Sequence, residues 1–467
     1  MSAEESPLLR LVPAAHEAIY NRFAPHQKRW ILFHVSFVGL LAMFVQVTFV
    51  PSIPQIAKDL DLTDAVVSLA FSFSILADAT GALVWSAYSS FYGSRAIYLW
   101  GMPFLCVGSC GVALSASLQS LLFWRFVQAF GCAGALSLGT GVIGHIYKLE
   151  ERGTAIGVFF SITLIGYAVA PFLGVTHSNR CGDNHWSWRN LHYSIGAWGL
   201  LEMLFIYLSF PETSHPGTLG IDKLPSRRSI HITWINPLSS LVTSQSELFV
   251  VMLASALMVN TVYVLVVPMA YTIGIRYGIT NEATIGAFFL PNGLGSFTGT
   301  LIAGRLSDTV VRRWREKRRG TWCPEDRLRA TWIGGLFIVP LSIGASGLIT
   351  TYIGGPIGLA LNILCLYANG VGVDSVLNPI SSYNVDVVHS RSAEATAACM
   401  ASRLLILSAS IAYPSIDRAH RCCVDEHHRG CPCAPPQIFF RIIFLTIRYG
   451  DRMRASIDVG FSTMENN

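Results

Sequence analysis

Long blocks of apolar residues without a charged side chain recur along this chain. Examples are Ile31–Val50, Ile97–Leu122 and Val250–Tyr271. A helix needs roughly 20 apolar residues to cross a hydrocarbon core about 30 Å thick, and each of these blocks is long enough. Only 13% of the residues are charged, against roughly a quarter in soluble globular chains. We therefore expect an all-α polytopic membrane protein.

Hydropathy predicts eleven membrane spans, which we number in chain order. A twelfth span near 437–447 is doubtful, because the run Ile438–Ile447 would measure only about 15 Å as a helix and contains Arg441. The eleven spans lie at about 30–50, 65–88, 97–117, 121–147, 153–175, 191–210, 247–271, 283–304, 330–350, 353–377 and 395–416.

The distribution of positive charge predicts the orientation of these spans. With the N-terminus in the cytosol, the inner loops and the tail hold 20 Lys and Arg residues, and the outer loops hold 4. Seven of the 20 lie in Arg305–Arg319. Because positive loops favour the cytosolic side, we expect a cytosolic N-terminus without a cleavable signal peptide. The net charge of +5 is then explained without a nucleic-acid partner.

A polar interval divides the spans into two groups. We expect a cytosolic tail at 1–29, a six-helix half at 30–210, a cytosolic linker at 211–246, a second helical half at 247–447 and a C-terminal tail at 448–467. Two such halves indicate a carrier built from pseudo-repeats. Residues 415–436 do not fit this pattern. A reading-frame error or a mis-assigned intron would explain them; otherwise the chain is a carrier that lacks span 12 and is inactive.

Four stretches contain motifs: the loop after span 2, span 4, span 5, and a long stretch that begins at Leu290 in span 8. The motif residues are Gly93 and Arg95 after span 2; Arg125 and Gln128 in span 4; Gly166, Pro171 and Gly174 in span 5; and Gly304, Arg305, Asp308 and Arg312 after span 8.

With these motifs the chain resembles the major facilitator superfamily, and more narrowly the fungal twelve-spanner drug:proton antiporters, which export drugs, polyamines or organic acids. The resemblance implies two six-helix halves that rock about a central site. It also implies that an Asp in each of the two equivalent loops pairs with basic residues and stabilises one conformation. Asp308 occupies that position in the second half, whereas Ser90 replaces the acid in the first half.

Spans 4 and 5 carry what the resemblance implies about coupling and direction. In span 4, the family's Arg-x-x-Gln motif ties Arg125 to proton coupling. In span 5, Gly166, Pro171 and Gly174 resemble the signature of exporters, although Ala170 and Val175 replace two of its glycines. These two replacements leave uptake by a symporter or uniporter open as an alternative.

Two of the ionisable residues inside predicted spans are candidates for coupling. An arginine within hydrocarbon costs at least ~2.5–3.5 kcal/mol on insertion scales, so Arg125 needs a polar cavity, a partner or the nearby membrane surface. Asp78 lies near the middle of span 2, where an ionised carboxylate is expensive. We expect Arg125 and Asp78 to take part in proton coupling, with a neutral, hydrogen-bonded packing role for Asp78 as the alternative.

A set of polar residues lies on helices that line the central cavity in the superfamily. An amide in hydrocarbon needs a partner, and that partner is either a neighbouring helix or a substrate. As a set, these residues are our prediction for substrate contacts: Gln46, Gln128, Asn260, Tyr263, Asn362 and Asn369.

We therefore predict a monomeric, proton-coupled exporter of small molecules in the plasma membrane, with the vacuolar membrane as the alternative. We expect no enzyme activity and no cofactor, since no phosphate-binding loop of the Gly-x-x-x-x-Gly-Lys-Ser/Thr type occurs. The segment His420–Cys433 has the Cys and His content of a zinc site. We expect no metal there, because the segment replaces the end of span 11 and most of span 12.

Overall fold

The computed structural model describes residues 20–49, 52–180, 187–215, 219–223, 251–259, 289–320, 323–387 and 392–412. Within these ranges the regular secondary structure is helical, and eight helices are long and apolar enough to cross a membrane. The expected all-α membrane fold is confirmed. The doubtful span 12 and the aberrant residues 415–436 lie outside the described residues.

The first six spans form helices close to their predicted positions. Span 4 consists of two segments, Leu118–Cys132 and Ala135–Ile146. A short helix, Ile53–Asp59, follows span 1. The other helices are span 1 at Pro25–Thr48, span 2 at Asp64–Tyr92, span 3 at Ser94–Leu114, span 5 at Leu149–Arg180 and span 6 at Ser187–Ser209.

The break in span 4 has a cause in span 2. The indole nitrogen of Trp85 donates a hydrogen bond of 2.6 Å to the backbone oxygen of Phe130, which in a continuous helix would accept from Gly134. A side chain that inserts into the hydrogen-bond ladder in this way kinks a helix. Gly134 also has no room for a side chain, because an added Cβ would lie 2.9 Å from the Cβ of Trp85.

The second half is described from span 8 onward, together with nine helical residues of span 7 at 251–259. Span 9 begins with a 3₁₀ turn, Pro324–Thr331, and a π-helical turn, Ile333–Ile338. The remaining helices are span 8 at Phe289–Lys317, the rest of span 9 at Val339–Tyr352, span 10 at Gly355–Val387 and span 11 at Ser392–Ala412.

Among the described residues, the most extensive contacts between the two halves are those of span 5 with span 8 and of span 2 with span 11. Glycines allow the first pair to approach closely. An added Cβ at Gly157 would lie 2.7 Å from the backbone oxygen of Thr300, and one at Gly304 would lie 2.6 Å from the backbone oxygen of Gly153. Small residues at such contacts are typical of helix pairs in membranes.

Spans 8 and 10 extend past their predicted ends, to Lys317 and Val387. Both extensions lie at the end of the bundle where the even-numbered spans finish and the loop Arg305–Arg319 is found. We call this the basic end. Hydropathy could not predict these extensions because their residues are polar. Charged side chains of span 5 and span 9 pack against them, as described below.

Candidate functional site

Arg125 lies inside the first half with its side chain fully buried (0% exposed). Its guanidinium donates hydrogen bonds to Oε1 of Gln128 at 2.7 Å, to Oγ of Ser74 at 3.3 Å and to the backbone oxygen of Val45 at 3.4 Å. It also stacks over the ring of Phe49, 4.3 Å from the centroid. All three hydrogen-bond acceptors are neutral, so the buried charge is solvated by dipoles and a ring.

Asp78 belongs to the same polar cluster. The amide of Gln46 hydrogen-bonds to the Asp78 carboxyl, and Arg125 is close enough for its charge to act on that carboxyl. The hydroxyl of Ser74 lies 3.4 Å from Oε1 of Gln46. Spans 1, 2 and 4 thus bring Asp78 and Arg125 together, with the neutral side chains of Ser74 and Gln46 between them.

Gln128 extends the cluster away from Asp78, toward spans 3 and 6. Its side-chain nitrogen lies 2.8 Å from Oγ of Ser109 and 3.3 Å from Nδ1 of His192, and all three residues are buried. The sequence analysis missed Ser109, His192 and Ser74. A histidine inside an apolar span was a visible signal, but the sequence does not show which neighbour it faces.

The asparagines of span 10 contact other helices. Oδ1 of Asn362 accepts from Ser346 at 2.7 Å and from Thr350 at 3.3 Å, both in span 9. The side-chain nitrogen of Asn369 donates to Ser342 at 3.2 Å. For each of these amides the sequence left two possible partners, a neighbouring helix or a substrate. In the structure both asparagines hydrogen-bond to span 9. Asn260 and Tyr263 lie outside the described residues.

The second half contains an acid and an arginine of its own. Asp374 in span 10 has a side-chain hydrogen bond with Ser296 and lies within reach of the charge of Arg403. Nε of Arg403 donates to Oγ of Ser255, at 3.0 Å. Each half therefore has, among its spans, a carboxyl close to a guanidinium: Asp78 with Arg125 and Asp374 with Arg403.

The motif after span 2 contacts the end of span 6 and the start of the linker. Gly93 has φ = 95°, a left-handed conformation that glycine adopts without strain. The carboxylate of Glu212 accepts from the backbone nitrogens of Ser94 at 3.3 Å and Arg95 at 3.0 Å, so an anion occupies the N-terminus of span 3, where the helix dipole favours it. The guanidinium of Arg95 donates to the backbone oxygen of Tyr207 at 2.8 Å.

The motif after span 8 bridges the two halves. The carboxylate of Asp308 accepts from the backbone nitrogens of Gly153 at 3.0 Å and Thr154 at 2.7 Å, in the second turn of span 5. Its basic partner is Arg327, at 3.0 Å. Arg312 is exposed, and its Nε reaches the backbone oxygen of Asp308 at 3.4 Å.

Arg327 also pairs with Asp386 at the end of span 10. Asp386 in turn pairs with Arg152 of span 5 at 2.6 Å, with the two side chains 0% and 3% exposed. We call Arg152, Asp308, Arg327 and Asp386 the closing network. Two positive and two negative groups balance within it, and it joins span 5 to spans 8 and 10. Among the described residues, the network thus holds span 5 against spans 8 and 10, and we call this arrangement the closed basic end.

The remaining motif residues have structural positions as follows. An added Cβ at Gly166 would lie 2.6 Å from the backbone oxygen of Leu40, so Gly166 allows spans 1 and 5 to approach. Pro171 and Gly174 lie within the helix Leu149–Arg180. Arg305 is exposed on span 8.

A metal site was not expected. Among the residues that the structure describes, no group of three or more His, Cys, Asp or Glu is placed to hold a metal ion. The segment His420–Cys433 lies outside those residues.

The family model of the Major Facilitator Superfamily matches residues 35–410. The chain therefore belongs to this superfamily, which defines it as an integral membrane transporter of small molecules. It is 26% identical to "Efflux pump radE" of Floropilus chiversii over 80% of this chain and 72% of that one. It is 24% identical to "Citrate exporter 1" of Aspergillus niger over 86% of this chain and 83% of that one.

Solved structures show the same fold. The proton:xylose symporter XylE superposes with a TM-score of 0.63 at 14% identity, covering 90% of this chain and 94% of that one. The human organic anion transporter MFSD10 (TETRAN) superposes with a TM-score of 0.58 at 16% identity, covering 90% and 100%. The resemblance read from the motifs is confirmed at the level of family and fold.

Proposed function

We propose that this transporter exports small molecules from the cytosol in exchange for protons, and that Arg125 and Asp78 couple the two movements. The observation that carries the proposal is the cluster of the buried Arg125 and Ser74 with the half-buried Gln46 and Asp78. Arg125 is surrounded by neutral hydrogen-bond acceptors, and the carboxyl of Asp78 lies close to it. The guanidinium therefore has two possible arrangements. The arginine either keeps its neutral partners or pairs with the ionised carboxylate.

Protonation of Asp78 decides between these arrangements. A neutral carboxyl leaves Arg125 with Gln128, Ser74 and Val45, and an ionised carboxylate attracts the guanidinium. The move shifts contacts among spans 1, 2 and 4, and span 2 packs on span 11 of the other half. A change at Asp78 thus acts on a helix pair that joins the halves.

The closing network supplies the second element of the cycle. With the basic end on the cytosolic side, its four buried charges stabilise the conformation that faces outward. Opening of the basic end separates span 5 from spans 8 and 10 and hydrates these charges. In the first half Ser90 replaces the equivalent acid, and its hydroxyl lies 3.4 Å from the backbone oxygen of Ser86. Of the two motif positions, only that of the second half therefore supplies an acid to the closing network.

The relatives named above support export, and drugs, polyamines and organic acids are the substrate classes that we propose. We propose that the carrier works as a monomer in the plasma membrane with its N-terminus in the cytosol. Among the predicted substrate contacts, Asn369 has a free acceptor: its Oδ1 has no hydrogen-bond partner among the described residues. Gln46 lies on span 1 beside Asp78.

Export is tested in a fungal strain that lacks its own efflux pumps. Ethidium, spermidine and citrate serve as probes of the three substrate classes, and their retention is measured with and without a protonophore. We expect the expressed carrier to lower the retention of at least one probe, and the protonophore to abolish this effect. Unchanged retention of all three probes, or higher retention that requires the proton gradient, would contradict export.

A matched pair of variants tests the role of the cluster. Arg125 and Arg189 both donate to backbone oxygens and both stack on a ring, at 4.3 Å and 4.4 Å, but Arg125 alone lies beside Asp78. Arg125→Lys should abolish proton-driven export, because an ammonium group cannot make the same set of hydrogen bonds. Arg189→Lys should retain it. Equal export by the two variants would contradict the coupling role.

A further inference from the structure

The orientation of the Gln128 amide is fixed by its neighbours. A guanidinium has donors only, so the atom of Gln128 that lies 2.7 Å from Arg125 must be the oxygen Oε1. The nitrogen of the same amide then faces the other way, toward Ser109 and His192. Both of its hydrogens have an acceptor there, at 2.8 Å and 3.3 Å.

This orientation determines the protonation of His192. The Ser109 hydroxyl donates its own hydrogen to the backbone oxygen of Leu105 at 2.7 Å, so it accepts from Gln128. Nδ1 of His192 must likewise accept from Gln128, and an acceptor nitrogen carries no proton. The imidazole is therefore neutral, with its hydrogen on Nε2. That nitrogen is buried and has no hydrogen-bond partner among the described residues.

A proton on Nδ1 of His192 is incompatible with this arrangement. Two donors would face each other, and rotation of the Gln128 amide by half a turn would relieve the conflict. The rotated amide would present its NH₂ group to Arg125, which can only donate. The hydrogen bond between Gln128 and Arg125 would then be lost, so a proton on His192 releases Arg125.

We propose that His192 is a second proton-binding residue, which controls Arg125 through the orientation of the Gln128 amide. This proposal rests on the coupling role of Arg125 proposed above. His192 lies near the start of span 6, which begins at Ser187, at the end of the bundle opposite the basic end.

The groups around His192 fit a residue that is neutral in this conformation. From span 4 it faces Arg125, the one described charged group whose field acts on it. The hydroxyl of Ser109 in span 3 accepts from the same Gln128 nitrogen, and the ring of Phe49 in span 1 lies 6.4 Å from the imidazole between centroids. Within span 6 its ring contacts Trp188 at 6.3 Å, and the indole of Trp188 donates to Asp59 at 2.7 Å.

Two amide substitutions separate the acceptor role of His192 from its ability to bind a proton. His192→Asn places an amide oxygen where Nδ1 accepts, and this oxygen does not take up a proton. His192→Gln places its amide near Nε2 and leaves no acceptor for Gln128. Export of the probe that the wild-type carrier moves would be measured in proteoliposomes as a function of the pH on the side of His192.

We expect wild-type export to rise as that pH falls through the titration of His192. His192→Asn should retain export but lose this rise. His192→Gln should be slower at every pH by about fivefold, the effect of one typical hydrogen bond. A wild-type pH profile in His192→Asn would overturn the proposal, and so would full-rate export with an unchanged profile in His192→Gln.

The tautomer provides a test that does not depend on transport. Nitrogen NMR of the full chain with labelled histidine, with His192→Asn to assign the signal, distinguishes a hydrogen on Nε2 from one on Nδ1. We expect Nε2–H at neutral pH, and a signal from Nδ1–H would overturn the amide orientation. If the tautomer is as expected but export needs no proton gradient, the coupling role proposed for Arg125 is wrong. The arrangement of Gln128 and His192 would still be correct.

Discussion

Replacement of Asp386 by asparagine removes the carboxylate that two buried arginines share. Arg152 and Arg327 both donate to it, and its side chain is 0% exposed. In Asp386→Asn one oxygen is replaced by an NH₂ group that faces a guanidinium, and the network keeps two positive charges against one negative. Removal of one partner from a buried ion pair costs about 3–5 kcal/mol.

This cost applies to the closed basic end, because an open basic end exposes the arginines to water. The ratio of open to closed molecules should therefore rise by roughly 100- to 4,000-fold, at tenfold for every 1.4 kcal/mol. A cysteine at Ser392 would report the change. Ser392 is 1% exposed, and an added Cβ on Gly144 of span 4 would lie 3.4 Å from its hydroxyl. In a background without the 11 native cysteines, Ser392→Cys should react with a maleimide much faster when Asp386→Asn is present.

The exposed pair of Arg315 and Glu150 provides the control. It also joins span 8 to span 5 at 2.6 Å, but its side chains are 40% and 51% exposed, and such pairs contribute about 0.2–1 kcal/mol. Glu150→Gln should therefore change the maleimide rate by no more than about fivefold. Equal rates in Asp386→Asn and Glu150→Gln, or no acceleration in either, would refute the assignment of the closing network.

Three further predictions concern stability in detergent, measured as the midpoint of thermal unfolding. Gly157→Val should lower the midpoint, because its Cβ would lie 2.7 Å from the backbone oxygen of Thr300 and overpacking costs about 1–3 kcal/mol. The control Gly344→Ala should not lower it, because the space around Gly344 is open. Glu212→Gln should destabilise the start of span 3 by about 1 kcal/mol, and a wild-type midpoint would show that the carboxylate has no capping role. Trp85→Phe should cost about 1 kcal/mol through loss of its hydrogen bond, and an unchanged midpoint would argue against the stated cause of the break in span 4.

The spans were predictable from the sequence because lipid requires long apolar segments, and spans 1–6 appear close to their predicted positions. The irregularities were not predictable. The break in span 4 depends on Trp85, which comes from a different helix. The extension of span 10 to Val387 depends on Asp386, whose partner Arg152 is 234 residues away in sequence. No local pattern contains such pairings.

The candidate site was predictable where burial of a charge is expensive. Arg125 and Asp78 stood out for that reason, and the structure places them in one cluster with Gln46. His192 was visible as a histidine within a predicted span, but its neighbours depend on helix rotation, which the sequence does not show. The partner of Asp308 was also not predictable. The family resemblance implied a pairing with basic residues, but it did not identify Arg327, which the turn Pro324–Thr331 brings to Asp308.

The most direct test of the account is the direction of proton movement during transport. The purified chain would be reconstituted into liposomes that contain a pH-sensitive dye, and a gradient of the transported probe would be imposed without a pH gradient. We predict that protons move opposite to the probe, and that Arg125→Lys stops both movements. Movement of the probe without protons, or of both in the same direction, would contradict proton-coupled export.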